Sequence, residues 1–195
     1  MGAGRSPAET LMPRLHLVRH GEAAAGWDGD ADPGLSALGR EQAEEVADLL
    51  APLGPLPILT SPLRRTRETA APLAARWGTD PVVEPAVGEV VAPEEHAGLG
   101  ARAAWLRSAM AGTWAALDDE RRRWRQGIVD RLVAVHDDAV VVTHFVAINV
   151  AVGAATGDDR VLCLRPGTCS VTVLRNDGGA LAVESLGGEA DTQVL

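Results

Sequence analysis

The chain has no lysine and no tyrosine, and only one phenylalanine. All 18 cationic residues are therefore arginine. That excludes Schiff-base chemistry on a lysine amine and a phosphate loop built around a lysine. The bias towards arginine and alanine is that of a GC-rich bacterial genome. There are two cysteines, Cys163 and Cys169, flanking Arg165-Pro166-Gly167. Two are too few for a disulfide framework and do not support a metal site. They are expected to be reduced, partly buried thiols of a cytoplasmic protein, with a disulfide across the turn as the alternative. Long apolar runs are missing as well. Ala139–Val142 and Val146–Val152 fall far short of the roughly 20 residues that a membrane span needs. No apolar stretch near the N-terminus reads as a secretory signal. Positive charge is scarce overall: the net charge is −9 and the pI near 5.0. Neither nucleic acid nor an anionic membrane surface is an expected partner of such a chain.

What is present fits one domain. A chain of 195 residues, 46% of them hydrophobic, can bury a real core. Residues 1–12 are expected to be a disordered extension before a single domain over 13–195. Leu15–Val18 is a short apolar run and reads as a buried strand. The stretch 26–34 is rich in Gly, Pro and Asp and reads as a loop. Ser36 then caps a helix that ends at Pro52-Leu53-Gly54-Pro55. Leu56–Thr60 is a second strand. Ser61-Pro62 is the pattern of an N-cap followed by proline at the first helical position, and that helix runs to Gly78. Pro81–Glu84 is a third strand. Residues 94–136 are helical in composition, with breaks expected at Gly112 and Gly127. Ala139–Thr143 is the most apolar strand and needs cover on both faces. A helix over Val146–Ala155 follows, then a hairpin of Cys169–Leu174 and Leu181–Leu186 around Asn176-Asp177-Gly178-Gly179. Strands that alternate with helices argue for a layered α/β sheet.

Three strand-to-helix junctions carry unusual polar residues: Arg19-His20, Ser61 with Arg64-Arg65, and Thr143-His144. Ligands of open α/β sheets bind beyond the carboxyl ends of the strands, so the three can share one pocket. Their chemistry suits phosphate. The arginine fork grips phosphate oxygens in pairs, and neutral histidine is a nucleophile. His20 and His144 have no zinc-ligand spacing, so no metal and no cofactor is expected. His16 reads as a packed strand residue, His96 and His136 as surface residues, and Arg121-Arg122-Arg123 as a solvated face. Arg64 and Arg67 read as solvated helix charges.

The run Leu17-Val18-Arg19-His20-Gly21-Glu22 resembles the signature of the histidine phosphatase superfamily, the phosphoglycerate mutase-like proteins. Four further segments agree in order. They are Leu35–Ala43, Thr60–Ala70, Glu89 within Pro85–Val90, and Val142-Thr143-His144. The resemblance covers roughly 14–175. It implies a three-layer α/β/α sandwich with a mostly parallel central sheet and a helical cap insertion at about 90–136. It also implies that His20 is the nucleophile that becomes phosphohistidine. Arg19, Arg65 and His144 would clamp the phosphoryl oxygens, and Glu89 would protonate the leaving alcohol. Glu89 would need a raised pKa to do so.

Two positions depart from the family pattern. Gly26 stands where many members carry Asn, and Phe145 replaces the glycine after the second histidine. Together with Glu22 and Trp105 they are candidates for the substrate pocket, although a core role is the default for Trp105 and Trp114. Asn149 is a candidate hydrogen bonder behind the site or on the helix surface. The mutases' Glu-Arg-His-Tyr-Gly segment is missing. Besides Arg125 at its end, the stretch 90–125 supplies only Arg102, Arg107 and the Arg121–Arg123 run for a second phosphate. Hydrolysis of a small phosphorylated metabolite is thus favoured over mutase-type transfer and over a non-catalytic phosphate-binding scaffold. The protein is expected to act as a monomer or homodimer.

Overall fold

The structure is a computed structural model that describes residues 12–26, 30–96, 98–177 and 179–189. The expected N-terminal extension lies outside the described residues except for Met12, which is exposed. Six strands form one sheet: β1 (Arg14–Arg19), β2 (Ile58–Thr60), β3 (Val82–Val83), β4 (Ala139–Thr143), β5 (Val171–Asn176) and β6 (Leu181–Ser185). Their order is β3-β2-β4-β1-β5-β6. The first four run parallel, and β5 and β6 close the sheet antiparallel. The expected mostly parallel sheet is therefore present, with an antiparallel hairpin at one edge. Gly178, in the hairpin's turn, lies outside the described residues.

Side chains alternate across a strand, and they sort here into two cores. Val18, Ile58, Val140 and Val142 face α1 (Ala37–Leu50) and α2 (Arg64–Trp77), where Val46, Leu50, Ala70 and Leu73 meet them. Leu15, Leu17, Leu59, Ala139 and Val141 face the other way, against α4 (Asp119–Val133) and α5 (Phe145–Thr156). All five residues of β4 are buried, as a strand covered on both faces must be. The twelve-residue helix α3 (Leu99–Met110) stands between β3 and α4 in the chain.

Several local expectations need correction. Ser61 does not cap α2: the helix begins at Arg64, Leu63 holds the N-cap position, and no side chain caps it. Gly127 does not interrupt a helix but lies within α4. Arg121 is not part of a solvated face. It is buried, donates through Nε to the Val91 carbonyl at 2.9 Å, and pairs with Asp118 and Glu120. Helix α4 packs against α5 and contributes Ile128 and Leu132 to the core, so this part of 90–136 belongs to the layered body. Trp114 is buried and stacks on Trp124 with ring centroids 5.8 Å apart, and the half-buried Trp105 packs on the same core. Cys163 and Cys169 are both free, so no disulfide closes their turn. Among the described residues, no helix is long and apolar enough to cross a membrane.

The parallel register places the site. Arg19 lies opposite Thr143, and Thr60 opposite Val142. One step further along, the His20 N–H donates to the Thr143 carbonyl at 3.0 Å and the Ser61 N–H to the Val142 carbonyl at 3.2 Å. His20, Ser61 and His144 thus leave three adjacent strands side by side.

Candidate active site

Arg19 ends β1, and its guanidinium is held on two sides. Nη1 donates to the Pro166 carbonyl at 2.8 Å, and Cζ lies 5.1 Å from the Phe145 ring centroid. Its Nε is buried and has no hydrogen-bond partner. A buried donor of this kind is costly unless something fills it. Phe145 lines the cavity and also supports a cationic group through its ring face.

His20 follows directly and is buried. Its Nδ1 is 2.7 Å from the Gly21 carbonyl oxygen. A carbonyl can only accept, so Nδ1 carries the ring proton and Nε2 keeps its lone pair. Arg65 Nε donates to that lone pair at 3.2 Å. Burial, and then the Arg65 charge, push the His20 pKa down to about 3. At neutral pH the ring is uncharged, with a lone pair aimed at the cavity.

The turn that carries His20 sits on the start of α1. The Gly21 N–H donates to Thr69 Oγ1 at 3.0 Å. A β-carbon at Gly21 would lie 2.6 Å from the Gly39 carbonyl oxygen, and one at Gly39 only 2.0 Å from that of Glu22. Both glycines are required by this close backbone approach. Ser36 caps α1 by accepting from the Gly39 N–H, and its hydroxyl donates to the Glu22 carboxylate at 2.7 Å. Glu22 thus buttresses the turn and does not line the pocket.

Arg65, buried in the first turn of α2, bridges the two histidines. Besides the bond to His20, its Nη2 lies 3.3 Å from His144 Nδ1. Its contact with the half-exposed Asp32, at 4.0 Å, is a weak one. His144 is fully buried at the N-cap position of α5, and its ring lies 5.3 Å from that of His20. Its Nε2 is 2.7 Å from Ser61 Oγ, which also accepts from the Leu63 N–H at 3.2 Å. Burial, followed by the neighbouring His20 and Arg65, holds the His144 pKa well below its usual value.

Glu89 follows the 3-10 turn Pro85–Val87. That turn is pinned to β4 by Thr143 Oγ1, which donates to the Val87 carbonyl at 2.6 Å. Glu89 Oε1 accepts from the Val90 N–H at 3.0 Å, whereas Oε2 is buried without a hydrogen-bond partner. His144 Nδ1 lies 3.6 Å from Oε2. Burial pushes the Glu89 pKa up to about 7, against the pull of Arg65, Arg102 and Arg19. With a neutral histidine and a carboxyl that keeps its proton up to about pH 7, this contact is not an ion pair.

Arg19, His20, Arg65, Glu89, Arg102 and Phe145 surround a cavity of about 50 Å³, which Gly26, Asp30 and Pro33 also line. Trp105 does not reach it. Of the candidate residues, the structure brings Arg19, His20, Arg65, Glu89, Gly26 and Phe145 to one cavity, with His144 directly behind Arg65 and Glu89. Sequence reasoning counted Arg102 among the few cations of 90–125 but did not place it in this cavity, where it is the only lining residue from α3 among the described residues, and it misread Ser61. An arginine within the alanine-rich run Ala101–Ala104 was the available signal for the first. Asn149 is neither a surface residue nor part of the cavity wall. It is fully buried, accepts from the Cys163 and Leu164 N–H groups at 2.8 Å each, and donates to the Phe145 carbonyl at 2.9 Å. His16 is packed, while Arg64 and Arg67 are exposed, as expected. Among the described residues, no group of three His, Cys, Asp or Glu side chains is arranged to hold a metal ion.

Comparison with known proteins shows what the chain is similar to. The family model described as "Histidine phosphatase superfamily (branch 1)" matches residues 15–188. A glucosyl-3-phosphoglycerate phosphatase of Mycolicibacterium vanbaalenii is 32% identical over 164 residues, covering 77% of this chain and 67% of the relative. An uncharacterized protein of Mycobacterium tuberculosis is 40% identical over 121 residues, which make up 55% of this chain and 58% of that protein. The chain thus spans little more than half the length of that relative. Among solved structures, the native mycobacterial glucosyl-3-phosphoglycerate phosphatase superposes with a TM-score of 0.71 at 25% identity. The match covers 91% of this chain and 99% of that one.

Proposed function

The chain belongs to the histidine phosphatase superfamily, branch 1, and we propose that it hydrolyses the phosphomonoester of a small metabolite through a phosphohistidine on His20. One observation carries this reading. The Gly21 carbonyl fixes the His20 tautomer so that the Nε2 lone pair enters the same cavity as a protonated Glu89.

In this mechanism the phosphoryl oxygens take the unfilled Arg19 Nε and the donors of Arg65. His20 Nε2 attacks phosphorus in line, the bond to the leaving oxygen breaks, and Glu89 Oε2 gives that oxygen its proton. The resulting Glu89 carboxylate then takes a proton from water as the water oxygen attacks phosphorus. The P–N bond breaks, orthophosphate leaves, and His20 and Glu89 return to their starting forms. Positioning and charge stabilisation supply most of the rate of phosphoryl transfer, and these residues offer both without a metal ion.

We place the cap at 90–118, since α4 is part of the body. Arg102 enters the cavity from this cap and is positioned to read a polar group on the leaving alcohol. A relative that acts on glucosyl-3-phosphoglycerate supports a small phosphorylated metabolite as substrate.

The test is hydrolysis of a generic aryl phosphate in the presence of a chelator, by wild type and by His20→Ala. Wild type is expected to turn over and release orthophosphate, and His20→Ala to be inactive. Activity that persists in His20→Ala, or that needs added metal, rules the mechanism out. An inactive wild type that still binds orthophosphate at this cavity points to the scaffold reading instead.

A further inference from the structure

The two histidines differ in what faces the ring nitrogen turned away from the reaction. Behind His20 stands a backbone carbonyl, which accepts and cannot donate. Behind His144 stands the Ser61 hydroxyl, which can do either. One lone pair of Ser61 Oγ is already taken by the Leu63 N–H, and among the described residues the hydroxyl hydrogen has no acceptor other than His144 Nε2. Ser61 is fully buried, so water does not compete for that hydrogen.

Arg65 donates to the lone pairs of both rings, to His20 Nε2 and to His144 Nδ1. His144 then carries its proton on Nε2 and donates it to Ser61. A phosphoryl group that takes over the Arg65 donors frees both lone pairs. For His20 this is useful, because a nucleophile needs one. For His144 it is not, because a lone pair facing a phosphoryl oxygen is repulsive. Three guanidinium groups around the cavity, those of Arg19, Arg65 and Arg102, oppose a second positive ring beside them. The ring can still become a donor while staying neutral if its proton sits on Nδ1.

We propose that Ser61 is a positioning residue that switches the His144 tautomer, donating its O–H to Nε2 when phosphate is bound so that His144 offers Nδ1–H to a phosphoryl oxygen. The proton balance is an exchange with solvent during local opening of the site: Nε2 gives up one proton, Nδ1 gains one, and the ring remains neutral. Ser61 only rotates its hydroxyl. The proposal rests on the phosphohistidine reading above, since it takes His144 as a phosphate ligand.

Two-bond nitrogen–proton correlations of isotope-labelled histidines read the two ring nitrogens separately. Without ligand, His144 is expected to be protonated at Nε2; with orthophosphate bound, at Nδ1 alone. In Ser61→Ala the change of tautomer is lost, and kcat/KM on an aryl phosphate falls by about tenfold to a hundredfold, the scale of one hydrogen bond to a charged group. The backbone bonds of Ser61, from its N–H to the Val142 carbonyl and from Thr66 Oγ1 to its own carbonyl, do not depend on the side chain. If the serine merely holds the Leu63 N–H, His144 still changes tautomer on phosphate binding in Ser61→Ala, and that result overturns the proposal. So does a His144 ring protonated at both nitrogens with phosphate bound. The spectra need no turnover. A wild type that shows the switch but hydrolyses nothing sinks the functional reading and leaves the switch standing.

Discussion

Glu89→Gln should make the protein more stable in alkali while removing the proposed acid catalyst. Burial raises the Glu89 pKa from 4.5 to about 7. The folded state therefore holds a proton that the unfolded chain releases between these two values, so wild-type stability declines as pH rises through that window. Above it the decline stops, and the folded protein carries a buried carboxylate. A difference of about 2.5 units at about 1.4 kcal/mol each sets this penalty at about 3 kcal/mol. Glutamine fills the same space, keeps an acceptor for the Val90 N–H, and never ionises. Urea unfolding should thus show Glu89→Gln more stable than wild type by up to about 3 kcal/mol at pH 8.5, with little difference near pH 4.5. His20 and His144, whose lowered pKa values cost stability as pH falls below about 6.5, act in both proteins and largely cancel in the comparison.

The same substitution has a kinetic signature. A general acid matters most where the leaving oxygen is a poor leaving group. Glu89→Gln should lower kcat/KM, which reports the step that expels the leaving group, by about 10²–10⁴-fold on alkyl phosphates and far less on nitrophenyl phosphate. In wild type, kcat/KM on alkyl phosphates should fall as pH rises through about 7, where Glu89 loses its proton. Equal losses on good and poor leaving groups, or no gain in alkaline stability, would refute the assignment of Glu89 as a buried acid.

Two other substitutions probe the frame around the cavity. Arg19→Lys keeps the charge but cannot bond the Pro166 carbonyl, stack on Phe145 and offer a further donor at once. It should raise the inhibition constant of orthophosphate and lower kcat/KM by about a hundredfold, and a loss under about threefold would count against the clamp. Asn149→Ala strands two buried N–H groups, those of Cys163 and Leu164, and should cost about 2–4 kcal/mol in urea unfolding. A cost below about 1 kcal/mol would mean that the 163–164 backbone finds other partners.

The layered body was legible because its signals are local. The run Ala139–Thr143 is apolar at every position, which only a strand covered on both faces tolerates. Gly78 and Gly157 end helices in the left-handed conformation where the chain suggests a stop. Misreadings came where a local pattern had a distant competitor. Ser61-Pro62 has the composition of a helix cap, but Ser61 leaves β2 beside His144 and turns its hydroxyl to that ring. Arg121 lies in a charge run that reads as solvated. Its guanidinium nevertheless reaches the Val91 carbonyl, thirty positions away, and its charge is met by Asp118 and Glu120.

The pocket shows the same division. Which histidines meet could be suspected from their places after two apolar strands, and the parallel register of β1 and β4 then puts them side by side. What each histidine does depends on which nitrogen carries the proton, and that is set by the group behind the ring. For His20 the group is the carbonyl of its own neighbour, Gly21, which any residue there would supply. The specific requirement is the glycine's missing β-carbon, because it lets the turn close on Gly39 and hold the carbonyl in place. For His144 the group is a hydroxyl 83 positions away in the chain. A carbonyl in that place would lock His144 into one tautomer, as it does His20. A serine leaves both open, and so one pocket can hold a histidine kept as a nucleophile beside another free to become a donor.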